Sequence, residues 1–283
     1  MKVSIVTDTD SSLPAELAAK HGIRLVPQTV QFGSQSLEVG IDIDDRQLFA
    51  RIDREKVMPT TAAPAPGKFA EAYRAAFDEG ADVVICYCIS GEMSGTYKSA
   101  LAACDLFPGR DITVVDTRLA SMAEGFMVLA AAEMAQQGAA KEEVLAAADE
   151  LCNRSFFYVA LPTLKYLAMS GRVGPWIASL AGALNVQPIL TLRDGKIDIL
   201  ERVRTQKKAW RRVIEVTELA AGDRPIERMA VCHVVAEQNA HQFQMQICEK
   251  IGCPQDVILV ELTPALSVHT GAGLVGVVVV TGK

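Results

Sequence analysis

The 283 residues, half of them hydrophobic and 22% charged, have the balance of a globular chain large enough to build two ordinary domains. A formal charge of -6, from 28 Lys and Arg against 34 Asp and Glu, speaks against nucleic acid as the main partner, because neutralising phosphate needs clustered cations. No run of 18 uncharged apolar residues offers a membrane span, and "VSIVTD" after Met1-Lys2 is too short for a signal peptide, so a soluble, cytoplasmic protein is expected.

In chain order, apolar strands are expected at 3–7, 24–30, 82–88 and 112–116. Amphipathic helices alternate with them at 13–21, 45–54, 66–79, 95–105, 121–137 and 141–153. Ser12 before Pro14 and Asp44 or Asp45 are cap candidates, Pro66 suits a first helical turn, and Gly22, Gly80 and Gly138 stand where helices end. Alternation of this kind predicts an α/β domain with a parallel sheet. From Phe156 the rhythm changes. A strand "FFYVAL", short helices near 164–170 and 175–184, and a hairpin turning at Asp194-Gly195 come first. Helices at 206–221 and 237–250 and strands at 228–235, 256–262 and 274–280 complete a second α/β domain with a mixed sheet. The boundary is placed near residue 155, giving domains 1–155 and 156–283.

The seven cysteines show no CxxC pair and no zinc-ribbon spacing, so reduced, buried thiols and no metal site are expected. Gly271 to Gly276 spell G-x-G-x-x-G, yet a dinucleotide fingerprint needs a strand before the glycines and a helix after them. Here the β-branched run Val277–Val280 follows, which predicts a strand, and the question becomes why His269 precedes glycines.

Asp8-Thr9-Asp10 after the first strand has the spacing of aspartyl-phosphate phosphatases; the alternative is that both acids orient a loop and cap a helix. "CISGEMSGTYKSA" sets Ser90, Ser94 and Thr96 on a glycine-rich strand-to-helix turn, where hydroxyls and unpaired N–H groups would hold an anion. Ser94, Asp116 and His269 also follow the hydrolase order of nucleophile, acid and base, although Gly91-Glu92-Met93-Ser94-Gly95 is not the G-x-S-x-G elbow. "MPTTAAPAP" is an extended, Pro-stiffened connection with small side chains at Ala62, Ala63 and Ala65. His269 stands before a Gly-rich bend rather than on a helix face, and its imidazole can donate to a carboxylate.

Taken together, "TDTDSSLP", the Thr-rich loop ending in "PAP", "SGTYKSA", "YLAMSGRVG", "PILTLRDGKI", "RVRTQKKA" and "HTGAGLVGV" resemble the DegV family along essentially the whole chain. The resemblance implies a two-domain α/β carrier, not an enzyme, holding one long-chain fatty acid such as hexadecanoate or octadecenoate between its domains. FakB-like members present that acyl chain to a fatty acid kinase. Carried over by motif, the head-group residues are Thr61, Ser94 and His269. Arg172, Arg202 and Arg204 follow motifs that the resemblance puts near the head group, and they are the candidate kinase-docking positions. Ala62, Ala63 and Ala65 stand where family loops carry Ser and Gln, and Ala272 replaces a Pro. The anion contact is therefore expected to rest on Thr61, Ser94 and backbone N–H groups. No cofactor or metal is implied.

Overall fold

The computed structural model describes residues 1–171 and 186–283. The chain opens with β1 (Val3–Asp8), a 3-10 turn (Thr9–Ser11), α1 (Ala15–Lys20), β2 (Arg24–Val26), β3 (Thr29–Phe32), β4 (Gln35–Glu38), α2 (Asp45–Glu55) and β5 (Thr60–Ala62). It continues with α3 (Pro66–Asp78), β6 (Val83–Cys88), α4 (Thr96–Cys104), β7 (Asp111–Asp116), α5 (Met122–Gln136) and α6 (Lys141–Cys152). Then follow β8 (Ser155–Ala160), α7 (Lys165–Ser170), β9 (Gln187–Arg193), β10 (Lys196–Val203), α8 (Gln206–Ala221), β11 (Ile226–His233), α9 (Glu237–Ile251), β12 (Val257–Glu261), α10 (Pro264–Thr270) and β13 (Val275–Thr281). The helix expected near 175–184, and with it Arg172, lies outside the described residues.

The contacts divide the chain into two units, Met1–Ile43 with Pro59–Asn153, and Asp44–Met58 with Arg154–Lys283. A single cut near residue 155 differs from this division in one respect, because α2 packs with α10 of the second unit.

In the first unit, β2-β1-β6-β7 form a wholly parallel sheet. All six residues of β6 are buried, which is why "VVICYC" is a continuous apolar run rather than an alternating one. Phe69 and Tyr73 of α3 pack with Val84 and Cys86 of β6 and Ala100 of α4. The strand expected over 24–30 is two strands in different sheets. Pro27 has no N–H to give a ladder, and the Gln28 N–H turns to Thr9 Oγ1 at 3.0 Å, so the chain leaves the parallel sheet there. It restarts as β3 in a small antiparallel sheet ordered β4-β3-β5, which the pattern reading leaves unassigned. Asp44 caps α2 through a capping box with Gln47. Ser12, by contrast, does not cap α1: it sits at φ 53°, its hydroxyl buried, and Pro14 occupies the cap position.

The second unit is a six-stranded mixed sheet, β10-β9-β8-β13-β11-β12, antiparallel throughout except for β11 with β12. The hairpin turns at Asp194 and Gly195, both at positive φ (51° and 78°), as two-residue loops that follow the strand twist require. α8 and α9 cover the sheet, with Trp210 and Phe243 edge to face at 6.0 Å. The expectation of reduced thiols is corrected for one pair: Cys248 and Cys253 form a disulfide, their Cα atoms 5.0 Å apart, across the end of α9. The other five cysteines are free.

Candidate functional site

In an open parallel sheet, ligands gather outside the carboxyl ends of the strands, where neighbouring connections diverge. That edge of the first unit carries Asp8 at the end of β1 and Ser90–Thr96 after β6. The Asp8 carboxylate is fully buried and spends its acceptors on the protein. Oδ1 accepts from the Asp10 N–H at 2.9 Å and from Gln28 Nε2 at 3.3 Å, and Oδ2 accepts from the Ile89 N–H at 2.9 Å. Burial pushes Asp8 up to about 6 and these donors hold it back, so it is ionised at neutral pH. The carboxylate thus ties the ends of β1 and β6 together, which is the loop-orienting role weighed above. Behind it, Glu124 of α5 is wholly buried, accepts from Thr7 Oγ1 at 3.0 Å, and is held well above the usual carboxylate range by desolvation and by Asp8 and Asp10. Among the described residues no group of three His, Cys, Asp or Glu side chains is placed to hold a metal ion.

The turn after β6 differs from expectation in one chemical respect. Most of its backbone donors are taken up internally. The Gly91 N–H donates to Asp116 Oδ1 (3.0 Å), that of Glu92 to Ser90 Oγ (3.3 Å), and those of Met93 and Ser94 to the Ser90 carbonyl (both 3.0 Å). The Thr96 N–H is directed at Ser94 Oγ at 3.3 Å. What the turn presents is hydroxyl chemistry: Ser94 is half-buried and its Oγ lies 2.8 Å from Thr96 Oγ1. Asp116, the acid of the hydrolase reading, accepts from the Gly91 and Arg118 N–H groups, which makes it a brace for two loops.

The Thr-rich segment lies beside this turn. Instead of a free extended loop, Thr60–Ala62 is a strand, with Thr61 registered on Val30 of β3. A Cβ on Gly95 would stand 3.9 Å from that of Ala63, and Ser99 Oγ donates to the Pro64 carbonyl at 2.5 Å. The small residues at 62, 63 and 65 are therefore where the Ser-Gly-Thr turn closes on the Thr-rich strand. Sequence reasoning missed Gln28 altogether. Its buried side chain touches both Asp8 and Thr96, and its backbone leads into β3.

His269, expected before a bend, is instead in the last turn of α10, which begins with Pro264 at its first turn. Ser267 of the same helix donates to Asp45 Oδ2 at 2.6 Å, from inside a fully buried pair. Desolvation raises Asp45 to about 8, against the Ser267 bond that lowers it; Glu261 and Asp44 add to the rise. The glycines after His269 are explained by packing in this unit. A Cβ on Gly271, at φ +83°, would fall 2.3 Å from the Tyr166 ring, and one on Gly276, inside β13, 2.3 Å from Val159. A strand follows the glycines, so the dinucleotide fingerprint is absent, as the β-branched run requires. Of the docking candidates, Arg202 near the end of β10 and Arg204 just after it are exposed; Arg172 lies outside the described residues. No helix among the described residues is long and apolar enough to cross a membrane.

Comparison with known proteins covers the whole of this architecture. A family model described as "Uncharacterised protein, DegV family" matches residues 2–282. A DegV domain-containing protein of Streptomyces coelicolor is 38% identical over 277 residues, 98% of each chain. Among solved structures, one described as fatty acid binding of a DegV family protein from Thermus thermophilus superposes with a TM-score of 0.91 at 33% identity, covering 100% of both chains. Another, described as DegV, a fatty acid binding protein from Bacillus subtilis, gives 0.88 at 26%, again covering both chains fully. With the sequence motifs, the sheet topology and the full-length matches in agreement, this chain belongs to the DegV family.

Proposed function

We propose that the chain binds one long-chain fatty acid, with Thr61, Ser94 and His269 addressing the carboxylate, and that the loaded protein presents this carboxylate to a fatty acid kinase. The observation that carries the reading is the hydroxyl cluster at the carboxyl edge of the parallel sheet, where Ser94 stands beside the Thr-rich strand in a chain similar over its full length to proteins described as fatty acid binding. An acyl tail of about 14 buried methylenes would gain roughly 11 kcal/mol at about 0.8 kcal/mol each before entropy costs, so the tail supplies affinity. The polar end supplies direction, because a carboxylate buried without donors costs several kcal/mol. Transfer to a kinase rests on the family resemblance, with the exposed Arg202 and Arg204, and Arg172, as the docking candidates.

The test is extraction of protein purified from a bacterial host into organic solvent, followed by mass spectrometry. Close to one fatty acid per chain is expected. A chain that carries no lipid, takes none up when offered it, and hydrolyses acyl or phosphate esters would overturn the carrier reading in favour of an enzyme.

A further inference from the structure

We infer that Gln28 and Thr96 are positioning residues that fix the direction of a hydrogen-bond relay from Asp8 to Ser94, so that the single proton of the Ser94 hydroxyl is offered outward to an anionic ligand.

The steps follow from donor and acceptor counting. Gln28 is held by its backbone on both sides: its N–H donates to Thr9 Oγ1 at 3.0 Å and its carbonyl accepts the Val39 N–H at 2.9 Å. Its side chain, 2% exposed, ends between Asp8 Oδ1 at 3.3 Å and Thr96 Oγ1 at 2.9 Å. A carboxylate only accepts, so an amide turned the other way would set Oε1 against Asp8, acceptor against acceptor. The charge on Asp8 therefore selects the orientation in which Nε2 lies between the two oxygens and donates to both.

Thr96 Oγ1 then accepts a hydrogen bond from Gln28, and its own O–H donates to its other neighbour, Ser94 Oγ, 2.8 Å away. Ser94 Oγ also receives the Thr96 N–H at 3.3 Å. With two donors directed at it, the oxygen has its acceptor capacity filled and its proton must point elsewhere. Asp8 and Thr96 are wholly buried, whereas Ser94 is half-buried, so the relay runs from an interior charge to an accessible donor. Left to itself a serine hydroxyl serves a donor or an acceptor equally well. Wired in this way, it favours a ligand that can only accept, and a carboxylate is such a group.

The inference rests on the fatty-acid reading, and the experiment separates the two. Delipidated protein is titrated with hexadecanoate and with 1-hexadecanol, which share a tail and differ in whether the head group can donate. Wild-type protein should favour the acid by at least about tenfold, the factor that corresponds to about 1.4 kcal/mol. Thr96→Val, which keeps the shape and removes the hydroxyl, should cut the acid-to-alcohol ratio by about tenfold and change alcohol affinity by less than about twofold. Thr96→Ser should restore the ratio. Gln28→Glu places an acceptor where a donor stood, turns the relay around and should lower the ratio at least as far, whereas Gln28→Met should lower it less. Equal losses for acid and alcohol in Thr96→Val, or an unchanged ratio in Gln28→Glu, would reduce both residues to packing and overturn the inference alone. Wild-type protein that binds neither ligand would overturn the fatty-acid reading and this inference with it.

Discussion

Replacing Asp45 by Asn should make the second unit more stable at neutral and alkaline pH and leave it nearly unchanged in acid. Asp45 is 1% exposed, its Oδ2 accepts from Ser267, and its Oδ1 has no hydrogen-bond partner. The folded carboxyl titrates at about 8 against an ordinary 3.8, so the folded chain holds its proton over a range in which the unfolded chain has lost it. Stability from this group is complete below the unfolded value and falls as pH rises, by about 1.4 kcal/mol per pH unit, until the folded group ionises. Between about pH 5 and about pH 7.5 the wild type should therefore lose about 3 kcal/mol that Asp45→Asn retains. Asparagine keeps an oxygen for the Ser267 hydroxyl and sets its nitrogen where protonated Asp45 carries its proton, so the variant imitates the neutral acid. Urea unfolding of both proteins at the two pH values, followed by the fluorescence of Trp210 in α8, reads the difference, and the remaining buried acids cancel because they are common to both chains. A variant-to-wild-type gap that is the same at both pH values would refute the reasoning and mean that Asp45 is ionised in the fold.

Ser94→Ala and Thr61→Ala should each weaken fatty acid binding by about 1 to 3 kcal/mol through loss of a donor to a charged acceptor, and His269→Ala should do likewise; isothermal titration measures it, and wild-type affinity in all three would show that the carboxylate sits elsewhere. Gly271→Ala should destabilise the second unit by about 2 kcal/mol or more, since a side chain at φ +83° would meet the Tyr166 ring; unchanged denaturant midpoints would contradict this. Arg202→Ala, at an exposed position, should leave the lipid bound while slowing acyl phosphate formation with a fatty acid kinase and ATP, most at low salt, where the lost charge is least screened; a wild-type rate would return the residue to plain solvated surface.

The parts legible in the sequence are those whose cause is local. β6 is announced by an apolar run, α2 by Asp44 three residues before Gln47, and the β9–β10 turn by Asp194-Gly195. What escaped is either short and weakly patterned or has its cause in distant partners. α10 is only seven residues long, and its "PALSVHT" gives no amphipathic stripe. Thr263 ahead of Pro264, Pro being favoured at the first helical position, is the signal that was available. The β3–β5 sheet was hidden because Arg24 to Val30 looks like one strand unless Pro27 is allowed to end it. Gln28 is the clearest instance: alone it is a glutamine between a proline and a strand, and it acquires meaning only when β1 and β6 bring Asp8 and Thr96, 20 residues before it and 68 after it, to opposite ends of one amide. A motif search finds a candidate hydroxyl, because such residues sit in compact turns with their own sequence grammar. The buried groups that decide where that hydroxyl's proton points are supplied by the topology of the sheet, which is why Ser94 could be read from "SGTYKSA" and its orientation could not.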